Sequence, residues 1–195
     1  VVRVGGVDLR HVGPGGRGPR IAYVPQDPYL FAGTVASNIA FGRPDAGQAE
    51  IERAARSVGA HGSLSSLPLG YQTPVGPGRA TLSAGQQQLI CLARAELVEP
   101  DLLILDEATS DIDPGTETEV LAALQAVARK RTTVLVAHRL TTAAWADRVV
   151  VMADGRAVQS GRHADLVSAP GPYRDLWQSY APTDPALSGV VKLSD

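Results

Sequence analysis

Two adjacent carboxylates, Asp106 and Glu107, close the apolar run Leu102 to Leu105, and upstream of them the polar turn Ser83-Ala84-Gly85-Gln86 opens an apolar helical pattern. His138 follows a second apolar run, Thr132 to Ala137, and Gln26 follows a shorter one, Arg20 to Val24. Carboxylate, amide and imidazole groups at strand tips match what phosphoryl transfer to water requires. That reaction needs a carboxylate to hold Mg2+, a second group to orient or deprotonate the water, and hydrogen-bonding or positive character near the terminal phosphate. By residue type, Asp106 suits the metal, Glu107 the water and His138 the γ-phosphate. Only half of such a site is present. No GxxxxGK[ST] run occurs in these residues, and the two lysines, Lys130 and Lys192, follow no phosphate-cradling glycines.

The elements that must position these groups are legible in outline. Ser83 can cap a helix in which Leu89, Leu92, Ala93 and Leu97 share one face and which stops before Pro100. Leu102 to Leu105 and Thr132 to Ala137 read as strands of a parallel sheet buried on both faces. Between them Asp113 caps a helix with Pro114 at its first position and Val120, Leu121, Leu124 and Val127 on its buried side. Strand, crossover helix and strand make a doubly wound α/β unit, in which ligands sit beyond the carboxyl ends of the strands. Those ends carry Gln26, Asp106, Glu107 and His138.

Around this unit the pattern predicts a loop over 13–19, a helix over about 46–58 and a turn-rich stretch over 59–81, so that the middle of the chain is a helical insertion. A hairpin is expected where Arg148 to Met152 and Arg156 to Ser160 flank Ala153-Asp154-Gly155, followed by helical turns at His163 to Ser168 and Tyr173 to Tyr180. Residues 181–195 have the composition of a loose tail.

A length of 195 residues with 44% hydrophobic content is enough for one good-sized core. No apolar run approaches the roughly 20 residues of a spanning helix. A formal charge of −2 and a pI near 6.1 argue against a nucleic-acid partner. The lone Cys91 reads as a small core residue that suits a reducing compartment. His11, His61 and His163 are expected at the surface, and Trp145, Tyr173 and Trp177 as packing residues. The chain opens on Val1 and has Met152 as its one methionine, which reads as part of a longer reading frame.

Taken together, these motifs resemble the nucleotide-binding domain of an ATP-binding cassette (ABC) transporter. Leu82 to Gln86 resembles the signature motif, Leu102 to Asp106 the Walker B run, Glu107 the catalytic glutamate, Ser110 to Asp113 the D-loop, His138 the switch histidine and Gln26 the Q-loop glutamine. The resemblance covers about residues 1–180. It implies a P-loop NTPase-like, doubly wound, mainly parallel sheet with a helical insertion, incomplete at the N-terminus for want of Walker A. Residues 1–180 would be a partial ABC ATPase domain with a helical subdomain at about 40–90, and 181–195 its tail.

The resemblance further implies that two such domains sandwich two ATP molecules, so that Ser83, Ala84, Gly85, Gln86 and Asp113 act on nucleotide held by the opposite domain. On this view Gly85 lets the backbone approach a phosphate. Asp106 would hold Mg2+ through water, Gln26 would contact Mg2+ and the attacking water, and Glu107 would be the general base. The implied cofactors are ATP and Mg2+. The implied partners are an N-terminal transmembrane domain and a second nucleotide-binding domain, at the cytoplasmic face of the inner membrane.

QDPYLFAGTVASNIAFG and TPVGPGRATLSAGQ resemble the exporter type. Ala84, Gln87 and Pro77-Gly78-Arg79 depart from its usual residues. The competing classes are a soluble ABC-type ATPase and a non-catalytic or regulatory fragment. The phosphate-binding strand, loop and helix are expected beside the Walker B strand, so these 195 residues alone should expose apolar sheet edge and bind ATP poorly. The Ser83 turn should lie at the surface.

Overall fold

The computed structural model describes residues 1–13, 20–78, 82–106, 112, 114–129, 131–137 and 139–180. The chain divides into two units, 1–134 and 135–195.

The first unit opens with the antiparallel pair β1 (Arg3–Val4) and β2 (Val7–Asp8), joined through Gly5 and Gly6. Both glycines have positive φ, as a two-residue hairpin turn that follows strand twist demands. Then come β3 (Ile21–Val24), β4 (Gly33–Thr34), α1 (Val35–Ile39), α2 (Gln48–Ser57), α3 (His61–Ser65), β5 (Pro74–Val75), α4 (Ala84–Val98), β6 (Leu102–Asp106), α5 (Pro114–Ala128) and β7 (Thr132–Val136), whose last two residues are counted with the second unit. The stretch expected to be turn-rich therefore contains a short helix, α3, and a strand, β5, which pairs with β4. Gly76 closes that pairing at φ +106, and a Cβ there would stand 2.7 Å from the Ala32 Cα. His61 is not a bare surface residue, for its Nδ1 lies 3.0 Å from the Tyr71 hydroxyl.

The main sheet has the order β3-β6-β7. β3 and β6 are parallel, in register from Ile21 opposite Leu102 to Val24 opposite Leu105. The Arg20 carbonyl starts the ladder by accepting the N–H groups of Asp101 and Leu102, both at 3.0 Å. Leu103, Leu105 and Val24 are buried, whereas Leu102, Ile104 and Asp106 on the alternate face of β6 are only half-buried. The expectation of strands buried on both faces is thus corrected. β7 departs further, with Val134 and Val136, which share one face of the strand, about half exposed (50% and 46%), because that face lacks a full covering layer among the described residues. β6 is flanked on both sides, so a further strand cannot lie beside it as expected, and the edge strands among the described residues are β3 and β7.

The helix α4 is the centre of this unit. It packs against α1, α2, α5 and β3. Its Leu89, Ile90, Leu92 and Ala93 are inaccessible, so burial runs around most of the helix rather than along the one stripe its periodicity marks. It also carries buried polar groups. Glu96 pairs with Arg131 at 2.6 Å, with side chains 8% and 6% exposed, and accepts the Ser57 hydroxyl at 2.7 Å. This ties α2, α4 and the start of β7 together, and breaking such a buried pair from one side costs about 3–5 kcal/mol. No helix among the described residues is long and apolar enough to cross a membrane.

The second unit contains α6 (Leu140–Ala143), the antiparallel hairpin β8 (Val149–Ala153) and β9 (Arg156–Gly161), α7 (His163–Ser168) and α8 (Pro172–Tyr180). The hairpin turns on Asp154 and Gly155, at φ 49 and 73. Val149, Leu166 and Tyr173 form its core.

His163 is part of that packing, not the surface residue expected. Its Nδ1 lies 2.8 Å from the Tyr173 hydroxyl, and its ring meets Trp177 edge-on at 4.5 Å. Desolvation lowers the His163 pKa below its ordinary value. The folded state therefore disfavours the imidazolium, the unfolded chain takes up the proton first, and stability is lost as pH falls below about 6.5. Asp8, Glu50 and Glu52, held low by arginine, glutamine or backbone partners, add their losses only at more acidic pH. Both tryptophans, Trp145 and Trp177, lie in this unit, so their emission maximum on heating reports it alone. The expected result is a lower melting midpoint at pH 5.5 than at pH 7.5, with the difference reduced in His163→Gln.

Candidate functional site

Parallel, in-register pairing brings the carboxyl ends of β3 and β6 to the same end of the sheet. Asp106 is the last residue of β6, and Gln26 lies two residues beyond Val24 on an exposed bend. Between them the structure adds a residue that sequence reasoning passed over. The Tyr23 O–H donates to Asp106 Oδ2 at 2.8 Å, and this hydrogen bond raises the pKa of the phenol. The signal was available in the register. Tyr23 is opposite Ile104, and side chains two apart on a strand share a face, so Tyr23, Ile104 and Asp106 lie on one side of the sheet.

The loop after Gln26 is pinned from below by two residues that also went unnoticed. Asn38 is 1% exposed and uses both ends of its amide. Its Oδ1 accepts from the Phe31 N–H at 2.9 Å, and its Nδ2 donates to the carbonyls of Phe31 and Thr34, both at 3.0 Å. Arg94, from α4, donates to Asn38 Oδ1 at 3.0 Å and to the Asn38 carbonyl at 2.8 Å. Its guanidinium lies 5.5 and 5.7 Å from the ring centroids of Phe31 and Phe41, which stack on each other at 4.0 Å. Tyr29 and Phe41 are more than half exposed, so the clamp holds an aromatic surface open to solvent.

Ser83 and Ala84 are exposed, as the sequence reading required. Ser83 caps α4 by accepting the Gln86 N–H on Oγ at 3.1 Å, while Gln86 Oε1 accepts the Ser83 N–H at 3.1 Å. This capping box leaves the Ser83 hydroxyl proton available and leaves the N–H groups of Ala84 and Gly85 without an acceptor inside the helix. Such an end favours an anion. Gly85 is buried, and an added Cβ would meet the Thr116 Cβ of α5 at 2.7 Å. Its missing side chain therefore makes room for Thr116, a packing role the sequence did not show.

Glu107, Asp113 and His138 lie outside the described residues. Among the described site residues, the hydrogen bonds link Tyr23 with Asp106 and Ser83 with Gln86. Gln86 and Asp106 share no hydrogen bond. Asp106 fits a hard cation such as Mg2+, which takes oxygen donors, keeps several waters and needs only one or two carboxylates besides phosphate. A half-buried carboxylate with an amide on the neighbouring strand end is that kind of donor set. No cluster of three or more His, Cys, Asp or Glu occurs among the described residues, which is not the arrangement Mg2+ requires in any case. A cleft of about 140 Å³ between Arg43, Glu50, Ser57 and Glu96 contains none of these residues, and its Arg43–Glu50 ion pair is already closed.

The family model described as ABC transporter matches residues 3–110. The chain is 50% identical over 179 residues to a multidrug efflux ATP-binding/permease protein of Mycobacterium bovis, covering 92% of this chain and 15% of that protein. It is 42% identical over 177 residues to the human ATP-binding cassette sub-family B member 6, covering 91% of this chain and 21% of that one. It thus spans about a fifth or less of the length of these relatives. Among solved structures, a bacterial Atm1-family ABC exporter with ATP bound is similar at a TM-score of 0.80 and 39% identity, covering 90% of this chain and 31% of the other.

The contact between Gly85 and Thr116 gives a direct test of how the Ser83 turn is held. Gly85→Ala should destabilise the chain by about 1–3 kcal/mol through overpacking. Thr116→Ala should relieve it only in part, because the Thr116 Cβ itself, at 2.7 Å, remains. Thr116→Gly should relieve it, so a double-mutant cycle by urea denaturation is expected to show coupling of about 1 kcal/mol or more.

Proposed function

The chain belongs to the ABC transporter family, and from that membership we propose that it is the ATP-binding and ATP-hydrolysing module of an exporter, coupling ATP hydrolysis to substrate movement across a membrane. The observation that carries the reading is the pairing of β3 with β6, which sets the Asp106 carboxylate and Gln26 at one end of the sheet. Relatives named as an efflux permease and an exporter support transport over a soluble ATPase.

In this reading Asp106 holds the Mg2+ of a MgATP complex through water, and Gln26 contacts the metal and the attacking water. Bound Mg2+ would offset negative charge on the phosphate oxygens. Glu107 orients or deprotonates the water, and His138 donates toward the γ-phosphate. Ser83, Ala84, Gly85 and Gln86, with Asp113, close on the nucleotide of a second nucleotide-binding domain. The helix N-terminus and the free Ser83 proton supply positive character where the γ-phosphate develops charge.

Residues 40–90 act as the helical subdomain that carries this turn. The clamped aromatic surface of Tyr29, Phe31 and Phe41 beside Gln26 supports contact with a transmembrane domain, which would put the module at the cytoplasmic face of the membrane. Net charge of −2 supports no nucleic-acid partner.

The test is Glu107→Gln in the complete protein that carries these residues. ATP binding should persist while turnover falls about 10²–10⁴-fold, the usual share of a general base. Unchanged turnover would sink the reading. A second expectation concerns the 195 residues by themselves, which include no GxxxxGK[ST] run. Equilibrium dialysis of that polypeptide should find no saturable binding at micromolar ATP, and the half-exposed Val134 and Val136 should make it prone to associate. Micromolar affinity with steady hydrolysis would overturn this.

A further inference from the structure

We propose that Tyr23 is a positioning residue for Asp106, a phenol on the neighbouring strand that holds the carboxylate in the orientation from which it meets a hydrated divalent cation. The inference rests on the reading of Asp106 as the residue that holds Mg2+.

Asp106 is the last residue of β6, and the Tyr23 hydroxyl is the one hydrogen-bonding group that reaches its side chain among the described residues. A carboxylate at a strand end with no such partner would sample several rotamers. A single O–H donor on Oδ2 fixes it while leaving Oδ1 and a second lone pair on Oδ2 for water or metal. The contact is built by the fold rather than by chance reach. Tyr23 is locked opposite Ile104, β3 is pinned to β6 by the Arg20 carbonyl at its start, and both Val24 and Leu105, the next paired residues, are buried. In these 195 residues the ring is 56% exposed, and its hydroxyl is the part that makes a specific contact.

Tyr23→Phe removes the donor and keeps the ring. In the complete protein, Mn2+ binding in the presence of ATP can be followed by electron paramagnetic resonance, and Mg2+ can be titrated against turnover at saturating ATP. The half-saturating concentration of either cation should rise about three- to tenfold, the consequence of freeing one side chain that binding must then immobilise. ATP affinity in EDTA and the melting midpoint should not change.

Asp106→Asn separates the two levels of the argument. If it leaves Mn2+ binding intact, the reading of Asp106 fails and this inference falls with it. If it abolishes Mn2+ binding while Tyr23→Phe shifts nothing, or lowers the half-saturating concentration, the role of Tyr23 alone is refuted. A rise in Tyr23→Phe accompanied by an equal loss of ATP affinity in EDTA would mark the residue as merely structural and also overturn the inference.

Discussion

The pairing of β3 with β6 governs what the rest of the structure can do. Two parallel strands in register put Gln26, Tyr23 and Asp106 at a common end, and the register is set by contacts remote from it. The Arg20 carbonyl accepts two successive N–H groups from the start of β6, and the Arg20 guanidinium pairs with Asp101 at 2.9 Å. That ion pair is exposed and adds little energy. The alternation of side chains adds more. A slip of one residue would turn Leu103 and Leu105 out of the core and move Asp106 to the opposite face from Tyr23. The burial of two leucines thus specifies the position of one carboxylate, and the energy that holds the chemistry in place is hydrophobic.

The helix α4 is the second organiser, and it acts at both ends. At its first turn Ser83 and Gln86 close the capping box and Gly85 admits Thr116, so the anion-favouring end is held rigidly against α5. Near its other end Arg94 fixes Asn38 and through it the loop that follows Gln26. A rigid helix therefore links the turn that would read a nucleotide on one domain to the loop that carries Gln26 and the exposed aromatics. Burial lowers the pKa of Arg94, yet a guanidinium remains charged at any physiological pH, so this link does not depend on protonation.

Much of this was written in the sequence because it follows local rules. Apolar runs ending in Asp106 and Val24, the Ser83 cap, the stop before Pro100 and the Asp154-Gly155 turn each depend on neighbours within a few residues, and each occurs as read. What was not legible depends on partners distant in the chain. Tyr23 and Asp106 are 83 residues apart, and Arg94 and Asn38 are 56 apart. The packing role of Gly85 was hidden for the same reason, because the residue filling the space beside it, Thr116, belongs to another helix. The half-open β7 was misread for a related reason. Its apolar run predicts burial, but the covering layer is not specified by the strand itself.

The strengths of the visible groups explain why such a site must be composite. A helix N-terminus contributes about 0.3–1 kcal/mol to an anion at the surface and up to about 2 kcal/mol when partly buried. One hydroxyl donating to a charged oxygen adds about 1.5–3 kcal/mol. Even summed without loss, these amount to little more than the roughly 4 kcal/mol that corresponds to millimolar affinity. The Ser83 turn is therefore too weak to capture a nucleotide from solution, and too well ordered, through Gln86 and Thr116, to be incidental surface. Under the proposed function it would act as a surface that closes on a nucleotide already held elsewhere, where the entropy of association has been met by other contacts and a few kcal/mol are enough to shift an open assembly to a closed one. Weakness would then be an advantage, because a turn that bound product phosphate tightly would oppose reopening.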